Sequence, residues 1–158
     1  MATIKSLTGS GWLKDADDNF QSLKSLAGYH VTPFVFDTAV NDATSPTPVS
    51  NKTAAAHPLA VTIPDNAIVI GGSIDVIAAV TSATTNSTIA IHLANANDVF
   101  TSTEGAEANL TLAAQIPMAA LGAAPIKLAA AKSVTVTVGT AALTDGKING
   151  YIIWIEGA

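Results

Sequence analysis

The clearest pattern in the chain is an alternation of apolar and polar positions over residues 133–138, Ser-Val-Thr-Val-Thr-Val. Successive side chains of a β-strand point to opposite faces, so the three valines share one face and the hydroxyl groups share the other. Residues 88–93 repeat this alternation with Ile89, Ile91 and Leu93. Residues 151–155 are apolar at every position, which predicts a last strand that is central in its sheet or lies at an interface.

Further apolar runs bounded by turn-forming residues predict a series of eight or nine short strands. In addition to 88–93 and 133–138, they lie at residues 31–37, 59–63, 67–70, 74–81, 110–116, 127–130 and 148–155. Gly71-Gly72 predicts a bulge or a tight bend between two strands, and Asp145-Gly146 predicts a turn that joins the last two strands as an antiparallel pair. The predicted fold class is all-β, an antiparallel and jelly-roll-like β-sandwich.

The N-terminal part of the chain does not follow the strand pattern. Residues 1–12 contain isolated apolar anchors, Ile4, Leu7 and Trp12, and predict an extended arm. Residues 13–27 predict one short α-helix, because apolar residues recur there at intervals of three or four. These apolar positions are Leu13, Ala16, Phe20, Leu23 and Leu26. Two roles are open to this helix: covering one end of its own domain, or docking on a neighbouring subunit.

We therefore divide the chain into an arm with a short helix, residues 1–28, and a β-sandwich domain, residues 29–158. A long loop with turn-forming residues is predicted from Asp42 to about His57. Its length makes it either a contact element or a mobile segment.

The composition suggests that much of this protein's surface is covered. Of the 158 residues, 12% are charged and 49% are hydrophobic, so few side chains can keep a large free surface solvated. Aromatic residues make up only 5% of the chain, so burial must come from many small contacts. Such a chain suits extensive packing against copies of itself or against a larger assembly.

The charge argues against nucleic-acid binding and the apolar runs against a membrane span. The net charge is −5 and every basic residue is a lysine, which leaves no guanidinium group for bidentate contacts to phosphates or bases. The most apolar stretch, residues 110–131, is interrupted by Gln115, Pro117, Pro125 and Lys127, and we expect no membrane span. The N-terminus does not have the pattern of a signal peptide.

No set of residues predicts a reactive site. The three histidines, His30, His57 and His92, occur in unrelated contexts without the spacing of metal ligands, and the chain contains no cysteine. Asp98, Glu104 and Glu107 belong to a polar loop and could meet a cation or a lysine of a neighbour, although a solvated loop is the default. We predict no catalytic residues, no cofactor, no metal and no enzymatic activity.

Four segments resemble small structural proteins of tailed bacteriophages. They are residues 63–70 (IPDNAIVI), 73–76 (SIDV), 88–91 (TIAI) and 142–151 (ALTDGKINGY). In those proteins an "IP-x-x-A-x-V" motif opens a strand and an "LTAGK-hydrophobic" hairpin closes a β-sandwich. The likeness covers roughly residues 57–157, and this chain has Asp145 where alanine is common.

The resemblance implies a capsid decoration, or cement, protein. Such a protein is expected to be a homotrimer, to be made in the host cytoplasm and to bind the outer capsid surface, where it stabilises contacts between major capsid protein subunits. Its N-terminal segment is expected to reach onto the major capsid protein. In this chain the contact residues predicted for that segment are Ile4, Leu7, Trp12, Phe20 and Leu23.

A glycan-binding head-fibre or tail-tip module is the alternative function, because β-sandwich loops often bind sugars. Such a site needs exposed aromatic side chains as stacking platforms. Among the predicted inter-strand loops, Phe100 is almost the only candidate.

Overall fold

Eight β-strands arranged in two antiparallel sheets form the described part of the chain. The computed structural model describes residues 28–44, 46–95, 98–118 and 125–157, so the predicted arm and helix lie outside the described residues. The strands are β1 (Tyr29–Asp37), β2 (Ala56–Ile63), β3 (Ala67–Ser82), β4 (Thr88–His92), β5 (Gln115–Pro117), β6 (Ile126–Lys127), β7 (Lys132–Gly139) and β8 (Leu143–Glu156). The all-β prediction is confirmed for these residues.

Strands that follow one another in sequence largely alternate between the two sheets. The larger sheet has five strands in the order β1-β8-β3-β5, and β6 also pairs with β3. The smaller sheet has three strands in the order β2-β7-β4. Every strand pairing is antiparallel.

The last strand is central, as its apolar sequence predicted. β8 lies between β1 and β3 and pairs with both along most of its length. Its inner face contributes Ile148 and Ile152, both fully buried, together with Trp154. Its outer face carries Tyr151, which is exposed, and the half-buried Ile153.

The core lies between the two sheets and is built from the alternating positions. Val134, Val136 and Val138 of β7 are buried, while the threonines between them point outward, as the alternation predicted. Across the core, β1 contributes Phe34 and Phe36. The other buried apolar residues come mainly from β3, β4 and β8. The described residues contain no helix that is both long and apolar enough to cross a membrane.

The bulge predicted at Gly71-Gly72 is present, but it does not divide the strand. Val69 pairs with Trp154 and Gly71 pairs with Ile153, so one residue of β3 is skipped in the register. The two short strands predicted at 67–70 and 74–81 are therefore parts of the single strand β3. Continuous pairing with β8 keeps it extended through the bulge.

The strand predicted at residues 110–116 is wrong for most of its length. Glu107–Asn109 form a 3-10 turn, and only Gln115–Pro117 pair as a strand. Ala113 has a φ of 63°, a left-handed conformation that interrupts an extended chain. The strand predicted at 127–130 is likewise reduced to Ile126–Lys127.

The predicted turn between the last two strands is also wrong. Asp145 and Gly146 lie inside β8, and β7 and β8 belong to different sheets. The chain crosses between the sheets at residues 140–142, where Thr140 has a φ of 66°. Gly146 instead allows close packing, because an added Cβ would lie 3.0–3.4 Å from atoms of Val80 in β3.

Candidate interaction surfaces

The five contact residues predicted for the capsid, Ile4, Leu7, Trp12, Phe20 and Leu23, all belong to residues 1–27. These residues lie outside the described part of the chain, so the capsid-binding arm stays a prediction. The described residues offer two features that bear on binding: an apolar outer sheet surface, and a loop built around a buried aspartate–histidine pair.

The outer surface of the five-stranded sheet is apolar over several adjoining strands. Phe34 and Phe36 point inward from β1, so the alternate residues Tyr29, Val31 and Val35 point outward, and these are 53%, 52% and 51% exposed. The outward residues form cross-strand rows on β1, β8 and β3, which we call the outer sheet face. The rows are Tyr29–Ile155–Ile68, Val31–Ile153–Gly71, Pro33–Tyr151–Ser73 and Val35–Asn149–Asp75.

An open groove of about 510 Å³ runs across this face. Val31, Pro33 and Tyr151 supply much of its apolar wall. Asp75, Asn149 and Gln115 add polar groups along the other side. The outer sheet face is therefore concave near its middle and presents both apolar surface and hydrogen-bonding groups.

The charges on the outer sheet face cancel. At one end Lys147 Nζ lies 2.9 Å from Asp37 Oδ2. The hydrogen bond from Lys147, with that from the backbone N–H of Ala39, lowers the pKa of Asp37. Asp75 on β3 and Lys127, which pairs with Ile68, are two more charged residues in or beside the four rows. These two carboxylates and two ammonium groups have a formal charge of zero, and the next charged residue along β8 is Asp145, opposite Thr81.

The outer surface of the three-stranded sheet differs in character. Its central strand, β7, presents Thr135 and Thr137. Thr135 lies between Pro58 of β2 and His92 of β4, and Thr137 lies between Ala56 and Ala90 of the same two strands. His92 points outward, as its parity predicted, and its Nδ1 lies 3.4 Å from the Thr137 hydroxyl. Within the described ranges, none of the large exposed hydrophobic side chains belongs to β2, β4 or β7. This surface is consequently made of small and hydroxyl-bearing side chains.

The loop between β1 and β2 is organised around Asp42 and His57. Oδ1 of Asp42 accepts hydrogen bonds from the backbone N–H groups of Thr44 and Val49, at 2.9 and 3.0 Å. Oδ2 lies 3.1 Å from His57 Nδ1, and His57 Nε2 lies 2.8 Å from the carbonyl oxygen of Thr53. Both side chains are fully buried. Both ring nitrogens of His57 therefore contact oxygen atoms inside the protein, and the imidazole joins Asp42 to the backbone of the same loop.

The electrostatics of Asp42 agree with an ionised carboxylate. Burial alone would raise its pKa, but the backbone N–H groups of Val49 and Thr44 and the ring of His57 outweigh that effect. Together they lower the pKa of Asp42 to about 2. Sequence reasoning missed this pair because Asp42, in the loop, and His57, near the start of β2, lie 15 residues apart and form no recognisable motif.

The three loop carboxylates Asp98, Glu104 and Glu107 accept hydrogen bonds from other groups of the same chain. Glu107 accepts hydrogen bonds from the backbone N–H and hydroxyl groups of both Ser82 and Ser87, at 2.7–3.1 Å. Asp98 accepts from three successive backbone N–H groups, and Glu104 accepts from Thr101. The described residues contain no group of three or more acidic, histidine or cysteine side chains that could hold a metal. These carboxylates shape the loops.

The loop aromatic on which the glycan-binding alternative depended is buried. Phe100 has an exposed fraction of zero and hydrogen-bonds through its backbone to Ile91. It therefore cannot act as a stacking platform for a sugar. The exposed aromatic side chains in the described ranges, Tyr29 and Tyr151, lie on strands of the outer sheet face.

Comparison with known proteins gives similarity at the level of the fold. No protein-family model and no curated protein sequence matches the chain. A chain in the cyanophage Pam1 capsid asymmetric unit aligns with a TM-score of 0.55 and 18% identity, covering 81% of this chain and 84% of that chain.

Two further solved structures give nearly the same result. A chain in the acidic stable capsid structure of Helicobacter pylori bacteriophage KHP30 has a TM-score of 0.53 and 13% identity, covering 82% of this chain and 89% of that one. A chain in the capsid of Ralstonia phage GP4 has a TM-score of 0.53 and 18% identity, covering 82% and 86%. The described chain therefore shares its two-sheet fold with proteins found in bacteriophage capsids.

Proposed function

We propose that this chain is a structural, non-enzymatic virion protein that binds the outer surface of a phage capsid as an oligomer and stabilises contacts between major capsid protein subunits. The observation that carries the proposal is the fold similarity to chains in three phage capsid structures, each over more than 80% of this chain. The motif resemblance to decoration proteins, which covers about residues 57–157, points to the same class.

The strand order supports a jelly-roll-like arrangement. The orders β1-β8-β3-β5 and β2-β7-β4 resemble two facing sheets in which most strands adjacent in sequence, all but β5 and β6, lie in opposite sheets. The edge beside β4 is occupied by isolated bridges from Ile91 to Phe100 and from Thr88 to Ala106. These bridges stand where a fourth strand of the second sheet would run. Double-sheet jelly rolls are common in viral capsid proteins.

The physical character of the chain suits a protein that completes its burial against neighbours. Its outer sheet face exposes large apolar side chains, and only 12% of the residues in the chain are charged. The described polar clusters, around His57 and around Glu107, are saturated by hydrogen bonds within the chain. They serve the architecture and leave the surface free for packing.

In this proposal the N-terminal segment makes the contact with the major capsid protein. The isolated apolar side chains of Ile4, Leu7 and Trp12, with Phe20 and Leu23 of the predicted helix, insert into sites on capsid subunits. A homotrimer carries three such segments. Simultaneous attachment multiplies the strength of contacts that are individually weak.

The test is to delete residues 1–12 and measure cosedimentation with expanded capsids that were purified without this protein. We expect capsid binding to be lost while the circular dichroism and melting temperature of the β-sandwich stay unchanged. A full-length chain with Ile4, Leu7 and Trp12 replaced by serine should behave like the deletion. A matched variant with Thr3, Ser6 and Ser10 replaced by alanine should bind normally. Unchanged binding by the deletion would reject the proposed role of the arm.

A further inference from the structure

We propose that the outer sheet face is the surface through which copies of this chain associate with one another. This inference rests on the proposed function in requiring an oligomer, and it assigns the contact to particular residues. It places the association on β1, β8 and β3, centred on Val31, Ile153 and Tyr151.

The first argument is the distribution of exposed apolar side chains. Of the seven large hydrophobic side chains exposed in the described ranges, four lie on the outer sheet face. These four are Tyr29, Val31, Val35 and Tyr151. The outer surface of the three-stranded sheet exposes none, although it belongs to the same sandwich. A contiguous apolar surface on one side of a small domain marks an interaction site.

The second argument is charge. The chain has a net charge of −5, so most pairs of surfaces on two copies repel each other. In and directly beside the four rows of the outer sheet face, the carboxylates of Asp37 and Asp75 are balanced by the ammonium groups of Lys147 and Lys127. Two copies can therefore bring this face together without like-charge repulsion. A strongly basic or acidic partner would find no net electrostatic attraction at this face.

The third argument is shape and size. The groove beside Tyr151 gives a side chain of a neighbouring copy a concave place to pack. Three strands about 4.8 Å apart and seven residues rising about 3.3 Å each give the face a plan area of roughly 330 Å². This is less than half of the roughly 800 Å² that each partner buries in a standard interface, so residues flanking the face supply the remainder.

The test compares two variants that carry the same new carboxylate, one on the outer sheet face and one away from it. Val31→Asp puts a carboxylate at the centre of the outer sheet face. Val40→Asp puts it on the loop after β1, at a valine that is equally exposed, 53% against 52%. Sedimentation velocity and native mass spectrometry of the full-length chains give the oligomeric state over a wide range of concentration.

We expect the wild type and Val40→Asp to be oligomeric. Val31→Asp should associate at least about tenfold more weakly, because the new carboxylate must lose its hydration without a partner. Melting curves should show that all three chains are folded. Tyr151→Ser, on a different strand of the same face, should weaken association in the same direction.

A monomeric wild type would overturn the inference, and so would a Val31→Asp chain as tightly associated as Val40→Asp. If residues 1–27 of the same chain covered the face, the wild type would be monomeric and a chain lacking them would self-associate, which also counts against it. Capsid cosedimentation separates the two proposals. A monomer that binds capsids removes this inference and the oligomer of the proposed function but leaves the capsid binding, and an oligomer that binds none removes the capsid binding.

Discussion

His57 and Asp42 form a buried pair in which Nδ1 and Oδ2 are 3.1 Å apart and neither side chain reaches solvent. The two residues stand near opposite ends of the loop that joins β1 to β2. Asp42 also accepts hydrogen bonds from the backbone N–H groups of Thr44 and Val49, and His57 Nε2 lies within hydrogen-bonding distance of the carbonyl oxygen of Thr53. One buried hydrogen-bonded pair thus organises a connection that crosses from the larger sheet to the smaller one.

Replacing His57 by leucine should therefore destabilise the whole domain. The substitution leaves the Asp42 carboxylate buried without the hydrogen bond from His57, and removing one partner of a buried charged group is strongly destabilising. We expect the melting temperature to fall by on the order of 10 °C. His92→Leu is the matched control, since His92 is only half-buried on the outer surface of the smaller sheet. A His57→Leu chain as stable as the control would contradict the assigned role.

Stability should decrease in acid. The folded-state pKa of Asp42 is about 2, below its ordinary value of 3.8, and the pKa values of Glu107 and Asp37 are also lowered. Carboxylates of this kind stabilise the fold above their ordinary pKa, and the contribution is lost as the pH falls through the folded-state value. The free energy of unfolding, measured with urea, should decline as the pH falls from about 4.5 to about 2.

Two substitutions test whether Asp42 contributes to this acid sensitivity. Asp42→Asn should be less stable than the wild type at neutral pH and should show a shallower decline between pH 4 and pH 2, because one titrating group has been removed. Asp65→Asn, at an exposed position in the turn between β2 and β3, should keep the slope of the wild type. Equal slopes in all three chains would show that Asp42 does not contribute.

Gly150 should not tolerate even a methyl group. Phe34 pairs with Gly150 across β1 and β8, and a Cβ added at Gly150 would overlap the aromatic ring. Gly150→Ala should cost about 1–3 kcal/mol in the free energy of unfolding, because the ring must leave its rotamer or the strands must separate. Gly71→Ala is the control, since an added Cβ there meets nothing within 4 Å. Gly71→Ala should change the free energy of unfolding by no more than about 0.5 kcal/mol.

Glu107 should hold the connection between β3 and β4. Its carboxylate accepts four hydrogen bonds, two each from Ser82 and Ser87. Glu107→Gln weakens these charge-assisted bonds and should cost about 1–3 kcal/mol. The amides of Ser82 and Ser87 should exchange faster with deuterium while those of β7 are protected as before. Unchanged exchange at both serines would contradict this prediction.

The sequence by itself predicted those strands whose apolar pattern matches the burial that their pairing produces. The alternation at 88–93 and 133–138 and the doubly apolar 151–155 correspond to β4, β7 and the central strand β8. Such patterns are local consequences of burial on one face or two, so they can be interpreted without knowing the partner strand. The all-β class and the two antiparallel sheets follow from them.

Elements decided by distant contacts could not be predicted in this way. Residues 110–116 have an apolar pattern much like a strand, yet Ala113 donates to the carbonyl of Val76 from a left-handed conformation. Asp145-Gly146 has the sequence of a hairpin turn, but it lies in a strand whose neighbours are β1 and β3. In both cases backbone hydrogen bonds to a remote strand outweighed the local preference.

The proposed interaction surface and the buried Asp42–His57 pair also depended on tertiary structure. Sequence patterns showed that residues 151–155 are apolar on both faces, and only strand order showed that Tyr29, Val31 and Val35 extend this apolar surface across β1. His57 and Asp42 carry no signal in sequence because the energy that joins them exists only once burial removes water from both. The sequence alone specified which side chains avoid water; the fold decided which of them meet each other and which are left for a neighbour.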